Sequence, residues 1–262
     1  MTIELLLHVI VLVFCYMSSI FCIALFKRDN SIVDVAWGIG FMLISYMTLL
    51  ESGSLAARKL LITLMTTIWG LRLSGHILYR NWGRGEDKRY ALWRKQWGNN
   101  VFIRSFLQVF MLQGIVMIII ASPIILINSS HNSFLNLLDL TGVVIWLIGF
   151  SFEAIGDYQL HNFMSKSENK NKIMTDGVWK YSRHPNYFGE VTLWWGMFLI
   201  ALSVPWGWTT IISPLTITYL ILYISGIPMT EKFFETNPDF IEYKKRTSAF
   251  FPWFYKKPSS SS

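Results

Sequence analysis

Seven apolar runs limit what this chain can fold into before any motif is read. They cover roughly 3–26, 32–50, 57–80, 102–127, 134–163, 188–204 and 207–228, and most approach or exceed the roughly 20 residues a helix needs to cross a bilayer. Within lipid every backbone N–H and C=O must be satisfied internally, which leaves only helices and closed barrels. Barrel strands alternate in polarity, whereas these runs are continuously apolar. The chain is therefore predicted to be an all-α, polytopic membrane protein with about seven transmembrane helices. Composition agrees, with 53% hydrophobic and 15% charged residues against about 25% charged in a soluble domain.

The basic residues orient these helices. With the amino terminus outside, 20 of the 23 Lys and Arg fall on inner segments, leaving Arg58 and Lys59 outside and Arg72 within a helix. The positive-inside rule then gives N-out and C-in. Topology accounts for the net charge of +7, and no nucleic-acid partner is expected. The first run lacks a basic leading segment and ends in Lys27-Arg28, so it does not read as a cleavable signal peptide. Cys15 and Cys22 lie inside it without metal-ligand spacing and read as lipid- or core-facing thiols; no metal site is expected. Residues 1–262 read as one domain. Its cytoplasmic tail, 229–262, is predicted as an amphipathic helix, or a pair broken at Pro238. Phe250-Phe-Pro-Trp253 would anchor the tail at the interface, and Ser259–Ser262 reads as disordered.

Polar residues inside such helices are costly and mark sites. Ser31 is predicted to cap the second helix, with Asp34 one turn inside it. In the third helix Arg72, His76 and Arg80 recur at every fourth residue and share one face. They lead into Asn81-Trp-Gly-Arg-Gly-Glu-Asp-Lys-Arg-Tyr90, where Gly83 and Gly85 admit close backbone approach and Arg84 and Arg89 suit phosphate. Glu153, Asp157 and His161 form a matching stripe on the fifth helix. They serve either a ligand or simple neutralisation of Arg72 and His76. Gln108 and Gln113 read as interhelical hydrogen-bond formers, and Asn128-Ser-Ser as a glycosylation sequon.

The densest polar cluster is Trp179-Lys-Tyr-Ser-Arg-His-Pro-Asn-Tyr-Phe-Gly-Glu190. Pro185 suits a first helical turn, so a helix is expected to begin near residue 185. Its free N–H groups beside Arg183 would form an anion site. Asn186 and Glu190, four residues apart, would face one side.

Together, Val33-Asp-Val-Ala-Trp-Gly38, Trp69-Gly-Leu-Arg-Leu73, Arg80-Asn-Trp-Gly-Arg-Gly-Glu-Asp87, Ser182-Arg-His-Pro-Asn-Tyr-Phe-Gly-Glu190 and Pro228-Met-Thr-Glu-Lys232 resemble the bacterial DUF1295 family of steroid 5-alpha-reductase-like membrane enzymes. The resemblance implies a helical reductase with NADPH in a cytoplasm-facing cavity and a lipophilic substrate entering from the bilayer. It places Arg84, Asp157, Asn186, Tyr187, Glu190 and Tyr243 at the cofactor, with Arg72, Arg80, Arg183, His184, Glu231 and Arg246 as further candidates. Steroid reductases also hold an enone carbonyl with a Gln-Glu pair and a Tyr. This chain has no Gln-Glu-Leu-Pro stretch, and Asp34 and Trp69 stand near those places.

The implied reaction reduces a polarised C=C and needs an acid within hydrogen-bond reach of the substrate oxygen; Asp34 and Tyr46 are the candidates. An Arg-His-Pro-x-Tyr segment with a late Glu also occurs in isoprenylcysteine and phospholipid methyltransferases, which use S-adenosylmethionine. The extra arginines after the third helix favour a dinucleotide carrying a 2′-phosphate. A membrane scaffold whose buried charges are structural pairs is the non-enzymatic alternative.

Overall fold

A computed structural model describes residues 3–131, 134–170 and 172–255; Ser259–Ser262 lie outside the described residues. Every regular element described is helical. The α-helices are α1 (Ile3–Lys27), α2 (Ile32–Glu51), α3 (Ala57–Asn81), α4 (Lys88–Trp97), α5 (Val101–Arg104), α6 (Leu112–Ile120), α7 (Ser122–Ser129), α8 (Leu137–Met164), α9 (Pro185–Ala201), α10 (Ile212–Tyr219), α11 (Ile227–Lys232) and α12 (Pro238–Arg246). Among the described residues six helical segments have the length and hydropathy to cross a membrane. The expected run at 188–204 appears as α9, with 17 residues. The expected 102–127 run is not one straight helix. A π-helical stretch at Ser105–Met111 joins α5 to α6, and Pro123 sits in the first turn of α7.

The sequence reading missed α4. Asp87 caps it by accepting from the Arg89 N–H at 2.9 Å, and Gly98 ends it with φ +50°. The predicted Ser31 cap does not form; Asp29 Oδ1 instead accepts from the Ser31 N–H at 2.8 Å and its hydroxyl at 2.5 Å. Asn128 is completely buried and donates to Thr48 Oγ1 at 2.9 Å and the Ser45 carbonyl at 3.1 Å. Its side chain is thus a core strut, and the sequon is inaccessible in the folded chain. At the tail, α12 begins at Pro238 with Asn237 as its cap, so the broken pair is the form that occurs.

The chain packs as two compact units, Met1–Asp139 with Ile200–Ser213, and Leu140–Leu199 with Pro214–Ser262. In the first unit, α2 and α3 cross closely at Gly38 and Gly70. A Cβ on Gly38 would lie 2.5 Å from the Gly70 carbonyl oxygen. In the second unit α8 carries Gly142, Gly149 and Gly156 at seven-residue spacing, facing Gly189 and Gly196 of α9. Small residues let membrane helices approach closely. A Cβ on Gly189 would lie 2.5 Å from the Gly149 carbonyl oxygen, and one on Gly196 would lie 2.6 Å from that of Gly142. Gly189→Ala should therefore destabilise the protein by about 1–3 kcal/mol through overpacking. Gly75→Ala, where the added Cβ meets nothing within 4 Å, should stabilise it by about 0.5–1 kcal/mol. Thermal unfolding in detergent reads both.

Candidate active site

In the first unit the polar residues converge where α2 begins. Asp34 lies in its first turn, where the helix dipole favours a carboxylate. Arg89 Nη2 donates to Asp34 Oδ2 at 2.9 Å, and the Tyr90 hydroxyl donates to Asp34 Oδ1 at 2.6 Å. Gln113 Nε2 reaches the same hydroxyl at 3.4 Å. Arg89 is itself held by Asp87, whose Oδ1 accepts from Nε at 2.9 Å. Burial alone would raise the Asp87 carboxyl, but the Arg89 hydrogen bonds and charge outweigh it and hold the group below its usual range. Beside this set, Glu86 takes both Arg94 Nε and Nη2 at 2.9 Å and accepts from the Asn30 N–H at 2.8 Å. The loop after α3 is thereby folded against the turn between α1 and α2.

Asp34 is therefore paired with a guanidinium and a phenol. The other proposed acid, Tyr46, is 43% exposed and accepts from Thr67 Oγ1 at 3.1 Å. It lies three turns further along α2, about 18 Å away at 1.5 Å per residue. The two candidate acids thus stand at separate places on α2. Arg72 and His76 are half-buried and Arg80 is exposed. Arg80 Nε donates to Asn81 Oδ1 at 3.3 Å, and Arg84 is also exposed. Neither forms an ion pair among the described residues, although the Arg80 charge helps to hold the Asp87 carboxyl low.

In the second unit the expected helix starts at Pro185, and its polar neighbours form two groups. Asn186 Nδ2 donates to Asp157 Oδ1 at 3.1 Å, while Asn186 Oδ1 is shielded from solvent and has no partner among the described residues. Gly156 lets α8 approach this turn closely, since a Cβ there would lie 3.1 Å from the Asn186 nitrogen. The second group centres on Glu231. Its carboxylate accepts from Arg183 at 2.8 Å, from His184 Nε2 at 3.2 Å and from Lys244 Nζ at 3.3 Å. The His184 ring stacks on Tyr187 with centroids 5.3 Å apart, and the Tyr187 hydroxyl meets Thr230 Oγ1 at 3.0 Å. Glu190 follows one turn later, half-buried.

Arg183 does not form the expected anion site. Its Nη1 donates to the carbonyls of Thr247 at 2.6 Å and Lys244 at 3.4 Å, closing the end of α12. With Glu231 on its other side and only 7% exposure, it fastens the tail. Tyr243 is likewise a strut, its buried hydroxyl donating to the carbonyls of Trp179 and Ser182. Burial pushes that phenol above its ordinary range, so it remains a donor. Arg246 Nη1 donates to the Tyr255 hydroxyl at 2.9 Å. The unexpected members of these clusters are Tyr90, Thr230 and Lys244, while Gln113 makes the interhelical hydrogen bond expected of it.

Burial, opposed by Glu231 and reinforced by Arg183, holds the His184 imidazole below its usual 6.5. The folded chain thus keeps this ring neutral. The associated stability is complete above about pH 6.5 and fades as the pH falls through that value, by at most about 1.4 kcal/mol per pH unit. Asp87, also held low, acts only below about pH 4. The melting temperature should therefore drop between about pH 7.5 and 5.5, with a shallower slope in His184→Gln.

Membrane-length helices with polar side chains gathered where they begin and end define an integral membrane protein. The family model described as "Protein of unknown function (DUF1295)" matches residues 20–247, and the chain belongs to that family. Its relatives include 3-oxo-5-alpha-steroid 4-dehydrogenase 1 of Bos taurus, 30% identical over 106 residues, or 40% of this chain and 39% of the bovine protein. The Mus musculus protein of the same name is 35% identical over 65 residues, 25% of this chain and 26% of its own. The chain thus aligns with between a quarter and two-fifths of the length of these curated relatives. No solved structure matches it.

Proposed function

We propose that the protein is an NADPH-dependent membrane reductase of a C=C bond conjugated to a carbonyl, in a steroid-like or other lipophilic substrate. The relatives named as steroid dehydrogenases support the reaction class. The observation that carries the cofactor is the Asn186 carboxamide. Asp157 fixes its amide end, leaving a buried carbonyl oxygen to accept an N–H, and an unmet buried acceptor is costly. A nicotinamide carboxamide offers such an N–H. Asp157, Tyr187 and Glu190 complete this face of the second unit. Arg80 and Arg84, exposed in the first unit, suit phosphate groups.

When bound, NADPH supplies the hydride. The chain's own residues supply the proton and its direction. A substrate oxygen that displaces Asp34 Oδ1 as acceptor of the Tyr90 O–H is polarised by that phenol, whose oxygen Gln113 Nε2 holds in place. Asp34, held by Arg89 Nη2, positions the phenol before substrate arrives. The basic residues at 80–104 and 232–246 support a cytoplasm-facing site, N-out orientation and seven spans counting α9.

The test is thermal stability of the detergent-purified protein titrated with NADPH, NADH and S-adenosylmethionine. NADPH should give the largest shift, and Asn186→Ala should weaken its binding about 10-fold or more, the loss of roughly 1–3 kcal/mol. Arg84→Ala should weaken NADPH more than NADH. A shift with S-adenosylmethionine alone would overturn the reading in favour of a methyltransferase.

A further inference from the structure

The proposed reaction leaves the chain beyond α12 without a task. Residues 243–257 carry Lys244, Lys245, Arg246, Lys256 and Lys257 with no acid between them, among six aromatic residues. Of the aromatics after Thr247, Phe250 is buried, its ring 5.7 Å from that of Phe188, and the more exposed Phe251 ring lies 5.8 Å from the same residue. Phe251, Trp253 and Phe254 are 67%, 67% and 81% exposed. They are nevertheless held in place. A backbone bridge joins Ser182 to Ser248, the Arg183 N–H donates to the Ser248 carbonyl at 2.9 Å, and the Trp253 N–H donates to that of Tyr181 at 2.9 Å. Ser182 Oγ also donates to the Phe250 carbonyl at 2.8 Å.

Cations surround the same segment. The Tyr255 ring has Lys180 Nζ 5.5 Å and the Arg246 guanidinium 5.7 Å from its centroid. Lys244 and Lys245 at the end of α12 have side chains 58% and 70% exposed, their ammonium groups 3.3 Å from Glu231 and 3.6 Å from Glu242. Backbone bonds thus hold three large rings outward, an arrangement that marks an interaction surface.

We infer that this segment is an interfacial anchor that binds anionic lipid headgroups. Its rings enter the boundary between headgroups and acyl chains, where aromatic side chains concentrate. Its cations meet the phosphates. Two observations select a bilayer as the occupant. The segment is tied to the turn that opens α9, an apolar helix, so it lies at the level where this unit enters lipid. A second copy docked on the same face would bring like charges together.

The full chain with Phe254→Cys, in a Cys15→Ser/Cys22→Ser background that removes two exposed thiols, can carry a spin label at this position. In nanodiscs of phosphatidylcholine the label should partition between lipid and water; adding phosphatidylglycerol should drive it into lipid. Lys180→Glu with Lys245→Glu should reverse that shift, by roughly fivefold in partitioning per cation. A label equally accessible to water with and without phosphatidylglycerol overturns the inference. So does a lipid-buried label indifferent to the charge reversals, or shielding in detergent that grows with protein concentration, which would assign the face to a second copy.

Discussion

Arg58→Met should destabilise the protein by about 3–5 kcal/mol, the usual consequence of stranding a buried charge. Arg58 is completely buried in the first turn of α3 and Asp139 is 2% exposed in the first turn of α8. Nε donates to Asp139 Oδ1 at 2.7 Å and Nη2 to Oδ2 at 2.8 Å, with the Phe134 carbonyl as a further acceptor. Removing the guanidinium leaves a carboxylate whose remaining donors include the Asn136 N–H at 2.7 Å. Asp139→Leu should cost a similar amount by stranding the cation. The double variant Arg58→Met/Asp139→Leu should lie closer to wild type than either single variant, because a well-packed apolar pair of similar volume carries no desolvation penalty. Thermal unfolding of the four proteins in one detergent measures the coupling. Additive single effects would show that the two side chains do not act as a pair.

The same two residues show where reading the sequence stops. Apolar length and the Pro positions are local, so the long helices and the starts of α9 and α12 were legible at Pro185 and Pro238. Partners were not, because they depend on chain segments far apart. Arg58 and Asp139 are 81 residues apart, and counting charges for topology treated Arg58 as a surface cation. Arg183 reads as an anion ligand beside Pro185 until Glu231, 48 residues later, closes on it. For α4 the local signal was present in the Asp87 cap and the Gly98 stop. Its dense charge in Lys88-Arg-Tyr-Ala-Leu-Trp-Arg-Lys95 looked like loop, however, and Tyr90 was read with it. The pairing of Asn186 with Asp157 lay closer to the surface of the sequence. Both residues were picked out separately, and seven-residue glycine spacing is what lets their helices approach closely enough to meet.

Tyr90→Phe should lower kcat on an enone lipid about 10²–10⁴-fold, the usual contribution of a positioned general acid, with NADPH affinity unchanged. The substitution removes one oxygen from a ring that is 4% exposed and leaves its edge-on contact with Trp93, centroids 5.4 Å apart, in place. Stability should fall by about 1.5–3 kcal/mol, the worth of a hydrogen bond to a carboxylate. Asp34→Asn preserves an acceptor for the phenol but takes away the charge opposite Arg89. Its loss in rate should be smaller than that of Tyr90→Phe and accompanied by a lower melting temperature. Tyr46→Phe is the internal control. Among the described residues its hydroxyl meets only Thr67, and it lies about 18 Å along α2 from Asp34, so its rate should stay near wild type. The measurement is single-turnover oxidation of NADPH followed by absorbance at saturating cofactor, which separates the chemical step from binding. A Tyr90→Phe protein that reduces substrate at a rate close to wild type would remove the phenol as proton donor. A large loss in Tyr46→Phe would return the acid to the second position on α2 that the sequence first suggested.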